Sequence, residues 1–319
     1  MKSQTDRERK IHRSEGPLMY DVIVIGAGPA GLQAALTLGR MHRSALLLDS
    51  GEYRNGTVQH MHNVAANDGT PPAEFRATAR AQLVEYADVE VRDARVERIA
   101  GEQGAFTVAL ADGGTVEARR IVLATGMADE LPAIPGLQEL WGVGAFSCPF
   151  CDGHEHAGKP IAVIGEAARA AHLIGLLGRI VSSITVFPAA GSFSDEDRAT
   201  VEGLGATVAP SAPLSIARDG ETVTLTTAEG GASVAGVFVA SMVSRQRAPF
   251  AEQLGLAMLP SGAIEIDDFG RTSLAGVSAA GDIAHRASLP GAMAAVALAV
   301  AAGQLAAVGH IQSLMAEGV

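Results

Sequence analysis

Both cysteines of the chain fall in one short run, Ser147 to His156, which reads SCPFCDGHEH. Cys148 and Cys151 are separated by Pro149 and Phe150, and Asp152, His154 and His156 follow at once. Thiols at this spacing can close a local disulfide, ligate a soft metal, or exchange electrons as a dithiol–disulfide pair. For zinc, Cys148, Cys151, His154 and His156 would be the ligands. The run is short for that, Pro149 stiffens it, and the chain holds no second ligand pair to close a structural site. A purely structural disulfide across two intervening residues would constrain little chain and stabilise little. In a redox pair only the thiolate attacks, so each step moves a proton near neutral pH. Asp152, His154 and His156 are residue types that can move it. The run alone leaves all three roles open, and the elements around it decide.

Upstream, YDVIVIGAGPAGLQAALTLGRMHRSALLLDS begins with the apolar run Val22 to Ile25, the pattern of a strand buried on both faces. A helical pattern runs from Pro29 to about Arg40, and a second apolar strand, Ala45 to Leu48, ends on Asp49. This is a complete βαβ unit of the dinucleotide-binding type. Gly26 permits the tight turn, Gly28 lets the backbone approach a pyrophosphate, and Gly31 lets helix and strand pack closely. Pro29 and Ala30 sit among them at the helix N-terminus, whose free N–H groups face the phosphates. Asp49 lies at the spacing suited to a ribose hydroxyl. Two later strands break at Ala124-Thr125-Gly126 and at Gly281-Asp282, and a second βαβ candidate, Lys159 to Phe187, lies between them. The predicted fold is therefore α/β, with two Rossmann-like three-layer domains, the second inserted in the first. The expected boundaries are a disordered leader over 1–18, a first domain of 19–126 and 245–319, and an insert of 127–244 that carries the cysteines.

The sequence GAGPAG, the ATG triplet, a Cys-x-x-Cys just ahead of a second βαβ unit and a C-terminal AAGD occur together in this order. With them, the chain from about Tyr20 to its end resembles the low-molecular-weight thioredoxin reductases. The resemblance implies FAD in the first domain, a homodimer, and a redox disulfide that meets the flavin, with Cys151 on the flavin side and Cys148 facing substrate. It gives Asp152 a proton-transfer role and sets Asp282 on the ribityl or phosphate region of the flavin. Arg54 and Asn63 are placed near the cofactor.

Two departures change the reading. The second glycine turn reads Gly165-Glu166-Ala167-Ala168-Arg169-Ala170, so Ala167 carries a methyl group where a pyrophosphate should come close, and Glu166 adds an opposing charge. Where a reductase offers arginines to the NADPH 2′-phosphate, the chain reads FPAAGSFSDED, Phe187 to Asp197. A redox disulfide without a nicotinamide site needs another electron source. The chain looks like the branch of FAD-dependent dithiol oxidases that close disulfides in natural products such as gliotoxin, holomycin and romidepsin. Two features add to that likeness: Arg54 to Phe75, RNGTVQHMHNVAANDGTPPAEF, and Pro149-Phe150 between the cysteines. The expected reaction oxidises a small-molecule dithiol through Cys148–Cys151 and FAD, with O2 as acceptor and hydrogen peroxide as product. The alternatives are a thioredoxin reductase fed by ferredoxin or NADPH, and a flavin-linked redox sensor.

Composition bounds these readings. The chain has 319 residues, 48% of them hydrophobic, and 24 Lys and Arg against 35 Asp and Glu give a net charge of −11. That balance argues against nucleic acid and against a polybasic membrane surface. Two cysteines cannot build a secreted disulfide framework, which points to the cytoplasm. Met1 to Leu18 mixes charges of both signs without an apolar core, unlike a signal peptide. Ala292 to Ile311 approaches the length of a membrane span. Its alanine content and the interruption at Gly303 and Gln304 suit a buried helix opened by Pro290.

Overall fold

A computed structural model describes residues 19–319; the expected disordered leader lies outside the described residues. The first domain opens with β1 (Met19–Ile25), α1 (Pro29–Arg40) and β2 (Ala45–Asp49). It continues through α2 (Pro72–Leu83), β3 (Val89–Asp93), β4 (Val96–Glu102), β5 (Ala105–Leu110) and β6 (Thr115–Leu123). The strands form one sheet in the order β3-β2-β1-β6-β5-β4, parallel from β3 to β6 and antiparallel through β5 and β4. Alternate residues of β1 and β6 enter opposite cores. Ile23 and Ile121 pack with Phe106 and Val277 on one face, and Val22, Val24 and Val122 pack against α1 on the other. Burial on both faces explains the unbroken apolar runs.

Strand β7 (Met127–Glu130) leads into the insert, which holds α3 (Leu137–Leu140), β8 (Ala145–Phe146), α4 (Pro149–Asp152) and a 3₁₀ turn (His154–His156). The second βαβ unit follows as β9 (Pro160–Ile164), α5 (Ala167–Leu177) and β10 (Ser183–Phe187), then α6 (Asp195–Gly203) and β11 (Thr207–Val208). A three-stranded antiparallel meander, β12 (Ser215–Asp219), β13 (Thr222–Thr227) and β14 (Gly230–Val234), precedes β15 (Gly236–Val239). The parallel sheet of the insert runs β11-β10-β9-β15-β8. The chain returns along β16 (Val243–Gln246), which pairs antiparallel with β7, so the two connections between the domains form one ribbon.

The return completes the first domain with α7 (Phe250–Gln253), β17 (Ile264–Glu265), β18 (Val277–Ala279), β19 (Ala284–His285) and α8 (Val296–Ala316). Strand β18 adds to the main sheet beside β6. Helix α8 is long and apolar enough to cross a membrane by composition. It instead packs along α1, burying Gly303, Ala306, Ala307 and Leu314. Gly303 permits the approach, because a Cβ there would come within 2.0 Å of the Ala30 carbonyl oxygen. Pro290 does not open this helix: the helix starts at Val296, after a fully extended Ala295, and the intervening Gly291 is a poor helix former.

Candidate functional site

Strand β8 delivers the chain to Cys148, which stands in extended backbone at the N-cap of α4. Pro149 takes the first helical position, where its missing N–H leaves no bond unmade. The single turn brings Cys151 back toward Cys148, with their Cα atoms 5.3 Å apart and the sulfurs joined in a disulfide. The N–H groups of Cys151 and Asp152 both donate to the Cys148 carbonyl, at 3.3 and 3.2 Å. Both cysteines are half-buried, while Phe150 between them is 67% exposed. An exposed aromatic ring therefore stands on the single turn that carries the pair.

Asp152 is half-buried beside the disulfide. Burial first, and the neighbouring Glu155 second, push its carboxyl up to about 7, with His62 opposing them. A carboxyl so placed exchanges a proton at neutral pH. His154 is exposed on the 3₁₀ turn. The expectation of a third proton carrier at His156 gives way to a bracing role. Its Nδ1 donates to the Asp152 carbonyl oxygen at 2.8 Å. Its Nε2 is pressed against Gly236, where a Cβ would meet it at 2.1 Å, and its ring stands edge-on to Phe146 and Phe238. One nitrogen is thereby hydrogen-bonded inside the loop and the other packs against β15.

A histidine that the sequence pattern did not single out reaches this cluster from the other domain. His62 lies in the segment after β2, with Nε2 3.6 Å from Glu155 Oε1 and Nδ1 3.6 Å from Asp68 Oδ2. The HMHNV run contains it, but no spacing rule connects residue 62 to the cysteine loop.

The first glycine turn is a cradle. Gly26 has φ +105°, and a Cβ there would stand 2.3 Å from the Ala124 carbonyl oxygen; one at Gly31 would stand 1.8 Å from the Gly26 carbonyl oxygen. Only glycine fits either place. Gly28 is the reverse case, because nothing among the described residues lies within 4 Å of its Cβ position. Open space therefore faces the N-terminus of α1, where Pro29 and Ala30 begin the helix and the first-turn N–H groups have no helical partner. Ala124, Thr125 and Gly126 end β6 beside Gly26, and Gly281 places its Cα against Ala30, with Asp282 next in the chain. These residues line the carboxyl ends of β1, β6 and β18, the crevice in which open parallel sheets hold dinucleotides.

Asp49 ends β2 and is only 4% exposed. It accepts from the Gly51 N–H at 3.1 Å, the Tyr53 hydroxyl at 2.5 Å and Arg80 Nη1 at 2.6 Å. Burial and the Asp49 carboxylate push the Tyr53 hydroxyl up to about 12. The Arg76 guanidinium lies 3.8 Å over the Tyr53 ring. A cavity of about 600 Å³ opens here between Asp49, Tyr53, Arg76, Arg80 and Arg95. The open space at Gly28 and the arginine-lined cavity beside Asp49 suit the phosphates of a dinucleotide such as FAD.

Arg54 joins the cradle to the ribbon. Its Nε and Nη2 donate to Asp129 at 2.8 and 2.7 Å, its Nη1 to Asp282 at 2.8 Å, and its Nη2 also to Ser244 Oγ at 3.2 Å. Burial works against its charge, but Asp129 and Asp282 hold its pKa above the ordinary arginine value. One guanidinium therefore touches both ribbon strands and Asp282. Asn63 is exposed in the left-handed region at φ +60°, with its N–H on Asp68 Oδ1 at 2.7 Å.

The second glycine turn keeps the tight first position but not the open one. A Cβ at Gly165 would stand 2.7 Å from that of Ala240, Glu166 is the N-cap of α5, and Ala167 and Ala170 are buried. After β10, Ser194 caps α6 and accepts from the Asp197 N–H, and Asp195, Glu196 and Asp197 fill the first turn.

The pyridine nucleotide-disulphide oxidoreductase family matches residues 20–304. The chain is 40% identical over 184 residues to a probable thioredoxin reductase of Arthroderma benhamiae. That match covers 56% of the chain and 46% of the relative, so it spans about half of that protein's length. It is 31% identical over 301 residues to thioredoxin reductase tcpT of Claviceps purpurea, covering 90% of this chain and 93% of that one. The crystal structure of HlmI is similar with a TM-score of 0.82 at 32% identity, covering 94% of each chain.

Proposed function

The chain belongs to the pyridine nucleotide-disulphide oxidoreductase family and is a thioredoxin-reductase-like oxidoreductase; from that premise we propose that it is an FAD-dependent dithiol oxidase, acting as a cytoplasmic homodimer on a small-molecule dithiol of natural-product type. The observation that carries this reading is the contrast between a first glycine turn left open at Gly28 and a second turn that has Ala167 at that position, Glu166 at the N-cap of α5 and three acids in the first turn of α6.

In the proposed reaction a substrate thiolate attacks Sγ of Cys148, the Cys148–Cys151 bond breaks, and Cys151 leaves as a thiolate. The second substrate thiolate then attacks the substrate sulfur of the mixed disulfide. Cys148 is released as the substrate closes its own disulfide. The substrate loses two electrons and two protons, and the cysteine pair gains the electrons. Asp152 carries a proton between the exchanging thiols and the surface, because its carboxyl titrates at about 7. The exposed His154 stands on the same turn as a carrier to solvent. Phe150 gives an apolar substrate a surface next to Cys148. FAD, which Gly26, Gly28, Gly31 and Asp282 would hold, would supply a two-electron acceptor for the cysteine pair, with O2 as the final acceptor.

Two measurements on the flavin-loaded protein test this. A small dithiol should drive sustained oxygen uptake with hydrogen peroxide formed, and NADPH mixed in without oxygen should leave the flavin colour unchanged. Rapid bleaching by NADPH would favour a thioredoxin reductase, a reading that the names of the relatives support. Uptake that stops after a few turnovers would favour a redox sensor.

A further inference from the structure

Asp152 belongs to the insert, yet part of its electrostatic surroundings belongs to the first domain. The charged groups that act on it are Glu155, from the adjoining 3₁₀ turn, and His62, from the segment after β2. His62 in turn lies between two carboxylates, Glu155 at 3.6 Å and Asp68 at 3.6 Å, one on each side of the domain seam. The bracing imidazole of His156 bonds to the Asp152 backbone carbonyl. A protonated His62 therefore has two functions in one place. It holds the cysteine loop against the first domain, and it offsets the repulsion that Glu155 exerts on the Asp152 carboxylate.

We propose that His62 is a positioning residue of the disulfide centre: its imidazolium, held between Asp68 and Glu155 across the seam, sets the protonation of Asp152 and so the proton that accompanies thiol exchange at Cys148–Cys151. This rests on the redox role given above to the disulfide, and it holds whether electrons come from a dithiol or from NADPH. It also makes proton transfer depend on domain arrangement, since turning the insert away on its ribbon removes His62 and leaves Asp152 with Glu155 alone.

The two sides of the His62–Glu155 contact make the test specific. Both H62Q and E155Q break the latch, but the first removes a positive neighbour of Asp152 and the second a negative one. Carboxyl titration of the full chain labelled with ¹³C-aspartate, with the Asp152 signal identified by its loss in D152N, reads the effect directly. H62Q should raise the Asp152 midpoint by about half a pH unit or more, and E155Q should lower it by a similar amount. Asp68→Asn, which touches only the far nitrogen of His62, should raise it by less. Midpoints are compared between variants and not assigned to isolated groups. The pH profile for reduction of Cys148–Cys151 by dithiothreitol, with free thiols counted by alkylation, should move in the same opposite senses. Equal movement in one direction would reduce His62 to a mechanical latch, and no movement in either variant would overturn the proposal. If dithiothreitol fails to reduce the wild-type disulfide, the redox reading fails instead.

Discussion

The chain contains two βαβ units built on one plan, and they differ in what their glycine turns leave open. In the first, Gly26 and Gly31 are squeezed against carbonyl oxygens so that Gly28 can stand clear, and β2 ends in a buried carboxylate at Asp49. In the second, α5 starts at Ala167, whose counterpart Gly28 in the first unit is only the N-cap of α1. Strand β10 ends in Phe187, a buried ring that accepts no hydrogen bond from a ribose. Both units keep their apolar strands and inner helix face, so packing is alike in each, while the residues at the mouth of the turn and at the end of the second strand differ. Packing and binding are thus separable demands on a single motif, and a glycine turn is read only with the residue at the end of its second strand.

The largest way to break this contrast is Gly31→Ala. Its methyl group would fall 1.8 Å from the Gly26 carbonyl oxygen, and neither backbone can yield without opening α1 from β1. A loss of about 3 kcal/mol or more is expected, with little flavin retained per chain. Ala170→Gly, the counterpart in α5, removes one buried methyl and should cost about 1 kcal/mol with flavin content unchanged. Flavin absorbance per protein and urea midpoints read both. A flavin-replete Gly31→Ala protein would remove the steric basis of the comparison.

The next largest effect separates the domains by acid. His310 on α8 is buried and donates from Nε2 to the Ile121 carbonyl oxygen at 3.1 Å, and burial lowers its pKa to about 4 from the ordinary 6.5. A depressed base has this sign: the unfolded chain takes up a proton that the fold refuses, so stability present above pH 6.5 is lost as pH falls toward 4. The size is about 3 kcal/mol at most. His310→Gln keeps a donor toward Ile121 and should flatten the fall in urea midpoint between pH 7 and 4.5. An unchanged slope would place the acid sensitivity elsewhere.

Legibility followed the range of the interactions. Gly26, Gly28, Gly31 and Asp49 were readable because strand, turn, helix and acid follow one another within a single unit, and local sterics dictate each type. The Arg54 network was not, since its partners Asp129 and Asp282 lie 75 and 228 residues away. Arg54 is placed near the cofactor by the family resemblance, and its link to the ribbon comes only from the fold. His156 has the right chemistry at the right distance in sequence, but Phe146 and Phe238 enclose it, and β15 supplies one of those rings. His62 was missed for the same reason, since it faces the cysteine loop only after two domains have packed together.

The smallest and sharpest test rebuilds the second unit toward the first. Glu166→Gly removes the carboxylate from the α5 N-terminus, and Ala189→Arg with Ala190→Arg places two guanidinium groups in the segment between β10 and α6. A charge-assisted contact contributes about 1.5–3 kcal/mol, so each arginine that reaches a 2′-phosphate should tighten NADPH about 10-fold or more. The existing acids of α6 oppose this gain, and raising the salt concentration should weaken the new binding, as expected for exposed charges. Calorimetry with NADPH, and with NADH as the control lacking the phosphate, separates the charge contribution from binding of the rest of the molecule. Tighter NADPH binding with bleaching of the flavin under nitrogen would show that the second unit lost its ligand through these few positions while keeping its path to the disulfide. Tighter binding without bleaching would locate the remaining block in the domain arrangement, where Arg54 holds both strands of the ribbon against Asp282.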